Sequence, residues 1–482
     1  MPYISAARFG QSVAIRRFDG RQFYAVLLDL PAAGRRTRFA DAIKMVFGQL
    51  SMLKRAFHLF VGAALVAGYF AASPSHLWQP GPTMVVEPQG KVPDNSQWRS
   101  AFVSDGDTPL VHAASMVELP DGTLRAFWFA GSREGAADVA IHSSVFDPQS
   151  GSWSNEEPVI TREQIAQGWG RHVRKLGNVV PVLDEDGRMR LFVVAVSFGG
   201  WAASRLVVME SFDQGKSWRF DQALITTPFL NISTLVKTAP IRYSDGTIGL
   251  PVYHEMIGKF GEILRLNKDS QILGKARIGH GRKAIQPLVL VDSPTHAVAF
   301  LRNEHEPNNG FLYQSESHDG GWQWEALEYS SLENPSAALS GLAMEEGHWL
   351  VAANCNRLER DDLCIRETRD GGRSWQERWT FHDRERWRGE EMTEQQFSAL
   401  IEPELDSDVL PEEEEQLLDR ARHNKCDGRL GCEFQYDYPY MIRSSNGDLH
   451  MVYTWNKTAI RHVWLKADTR NKETGKEQDN DA

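Results

Sequence analysis

The loop "GSREGAADVAIH" places Glu134 and Asp138 among small residues directly after an apolar strand. A carboxyl group there can protonate a leaving oxygen, and the glycine and alanines let a substrate come close. A solvated loop pair is the alternative. "NISTLVKTAPI" adds Asn231 and Lys237 at a junction between a turn and a strand, where they can reach hydroxyls or a carboxylate, or simply face solvent. His112 and His254, each near a strand end, could carry acid–base chemistry of a glycosidase or lyase, or be hydrogen-bonded structural groups. The four cysteines, Cys355, Cys364, Cys426 and Cys432, form no CxxC pair. That spacing offers no zinc or redox motif, and two short-range disulfides stand beside four buried thiols as the alternatives. No metal or cofactor is expected. The formal net charge of −11 argues against a nucleic-acid partner, which needs a basic face.

Groups so far apart in sequence act together only if the fold gathers them, and the fold is signalled by repetition. Ser/Thr-x-Asp-x-Gly-x-x-Trp occurs as "SFDQGKSW" at 211, "SHDGGWQW" at 317 and "TRDGGRSW" at 368, with "VFDPQSGSW" at 145 as a degenerate fourth copy. Between them run hairpin signals, apolar alternation broken by Asp-Gly at 121, 186 and 245 and by Asn-Gly at 446. The repeated aspartates lie 106 and 51 positions apart, so a period near 50–65 fits about six units over residues 85–466. Four-stranded units of that size close into a propeller. In each repeat Asp and Ser/Thr can bond nearby backbone N–H groups, glycine supplies a positive φ, and tryptophan folds back onto the hairpin. The motif therefore reads as a blade staple rather than as part of a catalytic site.

Three segments depart from this plan. Residues 56–73 are apolar behind Lys54 and Arg55, the pattern of a signal peptide or signal anchor, with a buried soluble helix as the alternative. Met45 and Met52 stand just before it, so an internal start is one expectation. Residues 382–433 are charged and helix-prone and read as an insertion between two strands, projecting from one face. The tail 467–482 reads as disordered. The expected organisation is an N-terminal segment over 1–80, a six-bladed all-β propeller over 81–466, and the tail.

With its Asp-box repeats, the stretch from about 105 to 466 resembles the sialidase (neuraminidase) superfamily, and within it the bacterial "predicted neuraminidase" branch with BNR-like repeats. The resemblance implies a propeller and an enzyme acting on terminal acidic sugars, and the apolar run at 56–73 adds the expectation that it is exported or membrane-anchored. It implies arginines for the sugar carboxylate, since a guanidinium matches a carboxylate bidentately. Arg302 in "FLRN", one hairpin before an Asp-box, fits that pattern; Arg133 in "GSREG" is the second candidate and Arg174 the third. It also implies a tyrosine nucleophile, because an anionic sugar disfavours an anionic attacking group. "FQYDYPYMIRSSNGDLHMVYTW" is similar to the family's late tyrosine segment, which makes Tyr438 the nucleophile and Glu255, ending "GLPVYHE", its base. Asp138 resembles the family's loop acid, with Glu134 close behind. One departure is plain: where many relatives open with Arg-Ile-Pro, this chain reads "PLVHAASMVELPDG", with His112 and no arginine. Three functions stay open at this point: a sialidase-type exo-glycosidase, a different carbohydrate-active enzyme using His112 or His254, and a non-catalytic sugar-binding propeller.

Overall fold

The computed structural model describes residues 17–18, 21–22, 52–68 and 81–467, leaving out 88–89, 94–96, 227–232, 257, 282–283, 305–308, 406–410 and 428–430. The chain divides into two units, Met1–Gly68 and Tyr69–Ala482. In the first, Arg17–Phe18 pairs antiparallel with Arg21–Gln22, and a helix runs over residues 52–68. Among the described residues no helix is long and apolar enough to cross a membrane. Part of the apolar run, residues 69–73, and the tail from 468 lie outside the described residues.

The second unit is a ring of six antiparallel blades. Their innermost strands are Leu110–Glu118, Lys175–Leu183, Leu235–Val236 continued by Ile241–Arg242, Ala284–Val291, Ser340–Glu345 and Tyr436–Arg443. The strands of each blade follow in chain order from the axis outwards, except in the sixth. There the outermost strand is Arg99–Phe102, which pairs with Ala459–Leu465 and closes the ring with chain from the N-terminal side. Six buried apolar clusters fill the six gaps between neighbouring blades. Alternation assigns the faces: in Met189–Val196, Leu191 and Val193 pack toward the first blade and Phe192 and Val194 toward the third. Every residue of that strand is buried, and apart from Arg190, whose guanidinium pairs with Asp184, its sequence is apolar throughout.

The Asp-boxes bond as their chemistry dictates. Ser211 Oγ donates to Asp213 (2.7 Å), Asp213 accepts from Ser217 N (2.9 Å) and Oγ (2.6 Å), and Trp218 Nε1 donates back to Gly215 O (3.0 Å). The copies at 317–324 and 368–375 repeat this, with Trp324 Nε1 on Gly321 O (3.0 Å) and Trp375 Nε1 on Gly372 O (3.1 Å). Trp324 is buried between the third and fourth blades. Replacing it with alanine is expected to cost about 3–5 kcal/mol, the usual range for deleting a buried aromatic ring, read as a fall in the denaturant midpoint with unchanged m-value.

Residues 384–433 join the fifth blade to the sixth through the helices Glu394–Ile401 and Pro411–Lys425 and a short hairpin. These helices are anchored on the propeller core. Phe397, Ile401, Leu417, Ala421 and Cys432 belong to the same core as Leu350, Met451 and Tyr453, so these helices are part of the packing between blades. Cys355 pairs with Cys364 and Cys426 with Cys432 as disulfides.

Candidate active site

Inner strands enter the ring near its axis, and five blades place a non-glycine residue of positive φ at that entry: Ala113, Ser233, Gln286, Ser336 and Tyr438, with φ between 52° and 58°. Ladder register slips at three of these points, between His112 and Ser115, Ile285 and Leu288, and Asp437 and Tyr440. A bulge of this kind re-aims side chains, and each left-handed residue costs about 1–2 kcal/mol. Five on one rim indicate a constructed mouth.

Contacts between blades show that this rim surrounds a shared centre. Lys237 of the third blade donates from Nζ to Pro439 O of the sixth, the diametrically opposite blade, at 2.9 Å. Gln286 of the fourth blade donates from Nε2 to Tyr438 Oη (3.0 Å) and lies 3.4 Å from Tyr253 Oη of the third. Its Oε1 accepts from Arg302 Nη1 at 3.4 Å. Arg302 Nε also donates to Ser336 Oγ of the fifth blade (3.1 Å), and its Nη2 pairs with Glu304, which Lys259 Nζ reaches at 2.7 Å. Arg360 of the fifth blade bridges Asp437 Oδ2 and Ser336 O, both at 2.9 Å.

The sequence-derived candidates sort as follows. Tyr438, Arg302 and Lys237 are in this cluster. Glu255 is beside it: its amide donates to Ser233 Oγ (2.7 Å) and its carboxyl group interacts with Lys259, Glu304 and Arg302. His112 is buried with its ring 4.2 Å from that of Tyr438 and its Nδ1 3.8 Å from Asp437 Oδ1. Glu134 sits at the edge, 3.7 Å from Lys457, and its charge is felt by His112 and Glu255. Arg133 is exposed, with Asp138 as its neighbour, and Arg174 donates to Gly199 O (3.1 Å); neither contacts Tyr438. Asp138 locks its own loop by accepting from Ser132 N and Oγ, both at 2.9 Å. His254 pairs with Glu262 at 2.7 Å and stacks on Phe260, a structural contact. Asn231 lies outside the described residues. Arg360, Asp437 and Gln286 were not anticipated. Arg360 had a signal: it stands between Cys355 and Cys364, one blade beyond Arg302.

Electrostatics divide the cluster. Burial pushes the Glu255 carboxyl above the usual range, against the pull of Lys259. Burial likewise raises the Tyr438 phenol, while Arg302 and Arg360 draw it back. His112 is held at about 4, mainly by burial and despite Asp437, so its imidazole is neutral at pH 7. Lys237 is lowered to about 7, also by burial. A cleft of about 800 Å³ lies elsewhere, beside Trp98, Phe381 and Arg461 at the outer edge of the sixth blade.

A BNR repeat-like domain profile matches residues 122–451, more than two thirds of the chain. The chain belongs to the BNR repeat-like domain family. No curated protein sequence matches it significantly. Solved structures share the fold at low identity. The Hadza microbial sialidase Hz136 superposes with a TM-score of 0.54 at 14% identity, covering 76% of this chain and 68% of that one. A protein of unknown function from Dyadobacter fermentans gives 0.53 at 12%, covering 78% and 100%. The intramolecular trans-sialidase of Ruminococcus gnavus, solved with oseltamivir carboxylate, gives 0.51 at 10%, covering 76% and 96%.

Proposed function

We propose that this BNR-repeat propeller is an exo-acting glycoside hydrolase that removes a terminal acidic sugar by a retaining, sialidase-type mechanism. The observation that carries the reading is the convergence of Arg302 and Arg360, from adjacent blades, on Tyr438 at the axial mouth. The two guanidinium groups hold the sugar carboxylate. Glu255 accepts the phenolic proton as Tyr438 Oη bonds to the anomeric carbon. The leaving oxygen takes a proton from the 132–139 loop, from Glu134 in preference to Asp138, whose carboxylate is committed to Ser132. Water then reverses these steps, releasing the sugar with retained configuration. Because the Glu255 carboxyl is raised, the acid limb of the kcat/KM profile lies above the ordinary glutamate value. Export fits two disulfides, which persist in oxidising compartments; the apolar run at 56–73 is read as its signal or anchor.

Hydrolysis of a fluorogenic sialoside tests this. Arg302→Ala is expected to lower kcat/KM at least ~10²-fold, the loss of about 3 kcal/mol of charge-assisted bonding. Turnover at the wild-type rate would remove the carboxylate role. A second reading rests on His112, whose neutral imidazole lies against Tyr438: the pair could instead abstract and return protons in β-elimination of a uronate polysaccharide. An unsaturated product absorbing in the ultraviolet, with no sialoside turnover, identifies that chemistry.

A further inference from the structure

Each of the three good Asp-boxes is preceded by a glutamate, and in two blades arginine answers it. Glu210 pairs with Arg219 (2.7 Å), and Glu367 with Arg369 (2.7 Å) and His348 (2.7 Å). The fourth blade differs. Its glutamate, Glu316, faces two imidazoles, His296 Nε2 at 3.3 Å and His318 Nε2 at 3.9 Å from the same Oε2 atom. Glu325 Oε1 stands 3.6 Å from His318 Nε2. The two rings are stacked nearly parallel, 9° apart with centroids at 4.9 Å. One ligand atom from each of His296, Glu316 and His318 falls within 4.8 Å of the others. Among the described residues no lysine or arginine pairs with Glu316 or Glu325.

His296 is oriented for a further bond. Its Nδ1 lies 3.1 Å from Asp292 Oδ2, and Asp292 is fixed through Oδ1 by Trp349 Nε1 (2.8 Å) and Gly347 N (2.7 Å). A carboxylate on one imidazole nitrogen sets the tautomer that leaves the other nitrogen's lone pair free, the usual support behind a metal-ligating histidine. We propose that His296, Glu316 and His318, with Glu325 or water as the fourth donor, bind a divalent transition metal of the zinc class. Two imidazoles and carboxylate oxygens suit zinc, whereas calcium and magnesium take oxygen ligands. The site is on the opposite end of the ring from Tyr438. Ile285 pairs with Arg302 at the mouth, and the ladder runs on to Val291–Ala297 and Ala297–Ser317, six residues or about 20 Å along the strand. The metal would tie the 292–296 turn to the Asp-box of the same blade.

Zinc chloride titrated calorimetrically into full-length, chelator-stripped protein tests the site. One zinc per chain is expected to bind with a micromolar or tighter Kd. H318Q, at an exposed position, and H296Q are each expected to weaken it at least tenfold. Cobalt(II) should give the visible bands of a four-coordinate site in the wild type and lose them in H318Q. Absence of zinc binding, or unchanged stoichiometry and affinity in the H296Q/H318Q double variant, would overturn the proposal.

Discussion

Tyr438→Phe is expected to lower kcat/KM for the sugar substrate by at least about 10³-fold, some 4 kcal/mol of transition-state stabilisation, while leaving the fold intact. The substitution removes one oxygen. That oxygen accepts from Gln286 Nε2, and the amide retains Arg302 as a partner through Oε1 and lies near Tyr253 Oη. The ring keeps its contacts with His112 and with Lys237, whose Nζ is 5.6 Å from the ring centroid. Loss of turnover with an unchanged melting temperature therefore separates a nucleophile from a packing residue. A fall of less than tenfold would move the nucleophile elsewhere.

Glu404→Gln should produce a large, pH-dependent loss of stability. The side chain is only 10% exposed and accepts from Tyr436 Oη (2.7 Å), Trp455 Nε1 (2.5 Å) and Arg384 Nη2, with His382 Nδ1 at 3.2 Å. Burial alone would raise its pKa, but His382, Arg384 and Tyr436 outweigh it and hold the carboxyl at about 2. Removing one partner of such a network typically costs 3–5 kcal/mol, about a third of a domain's stability or more. The sign follows from the depressed value. The carboxylate contributes fully above the unfolded value of about 4.5, and its contribution fades as pH falls from there toward 2. Urea titrations from pH 7 to pH 3 should show the wild type losing this increment below pH 4.5 and Glu404→Gln lacking it at every pH.

The fold was legible because its signals are local. Asp213, Asp319 and Asp370 each close a turn within five residues, and Gly122 and Gly187 occupy the positive-φ positions of their hairpins. Periodicity then counts the blades. The candidate site was legible only where a residue stood in a recognisable stretch, as Tyr438 and Arg302 do. Asp437 and Gln286 look like ordinary strand polars, and only the bulges at Tyr438 and Gln286 turn them to the mouth. Arg133 stands in a small-residue loop and is exposed. The charged stretch after residue 383 holds both exposed and enclosed acids. Glu413 and Glu415 are exposed, whereas Glu404 is enclosed by Arg384 and by the aromatic donors Tyr436 and Trp455 of the sixth blade. Composition reports how many charges a segment carries, not which of them the tertiary packing encloses.

A fluorinated sialosyl donor that stalls the covalent intermediate addresses the catalytic reading most directly. Intact-protein mass spectrometry followed by peptide mapping should find one glycosyl group per chain, attached to Tyr438 Oη and absent from Tyr438→Phe. An adduct on another residue, or turnover of the parent sialoside with no adduct at all, would contradict it.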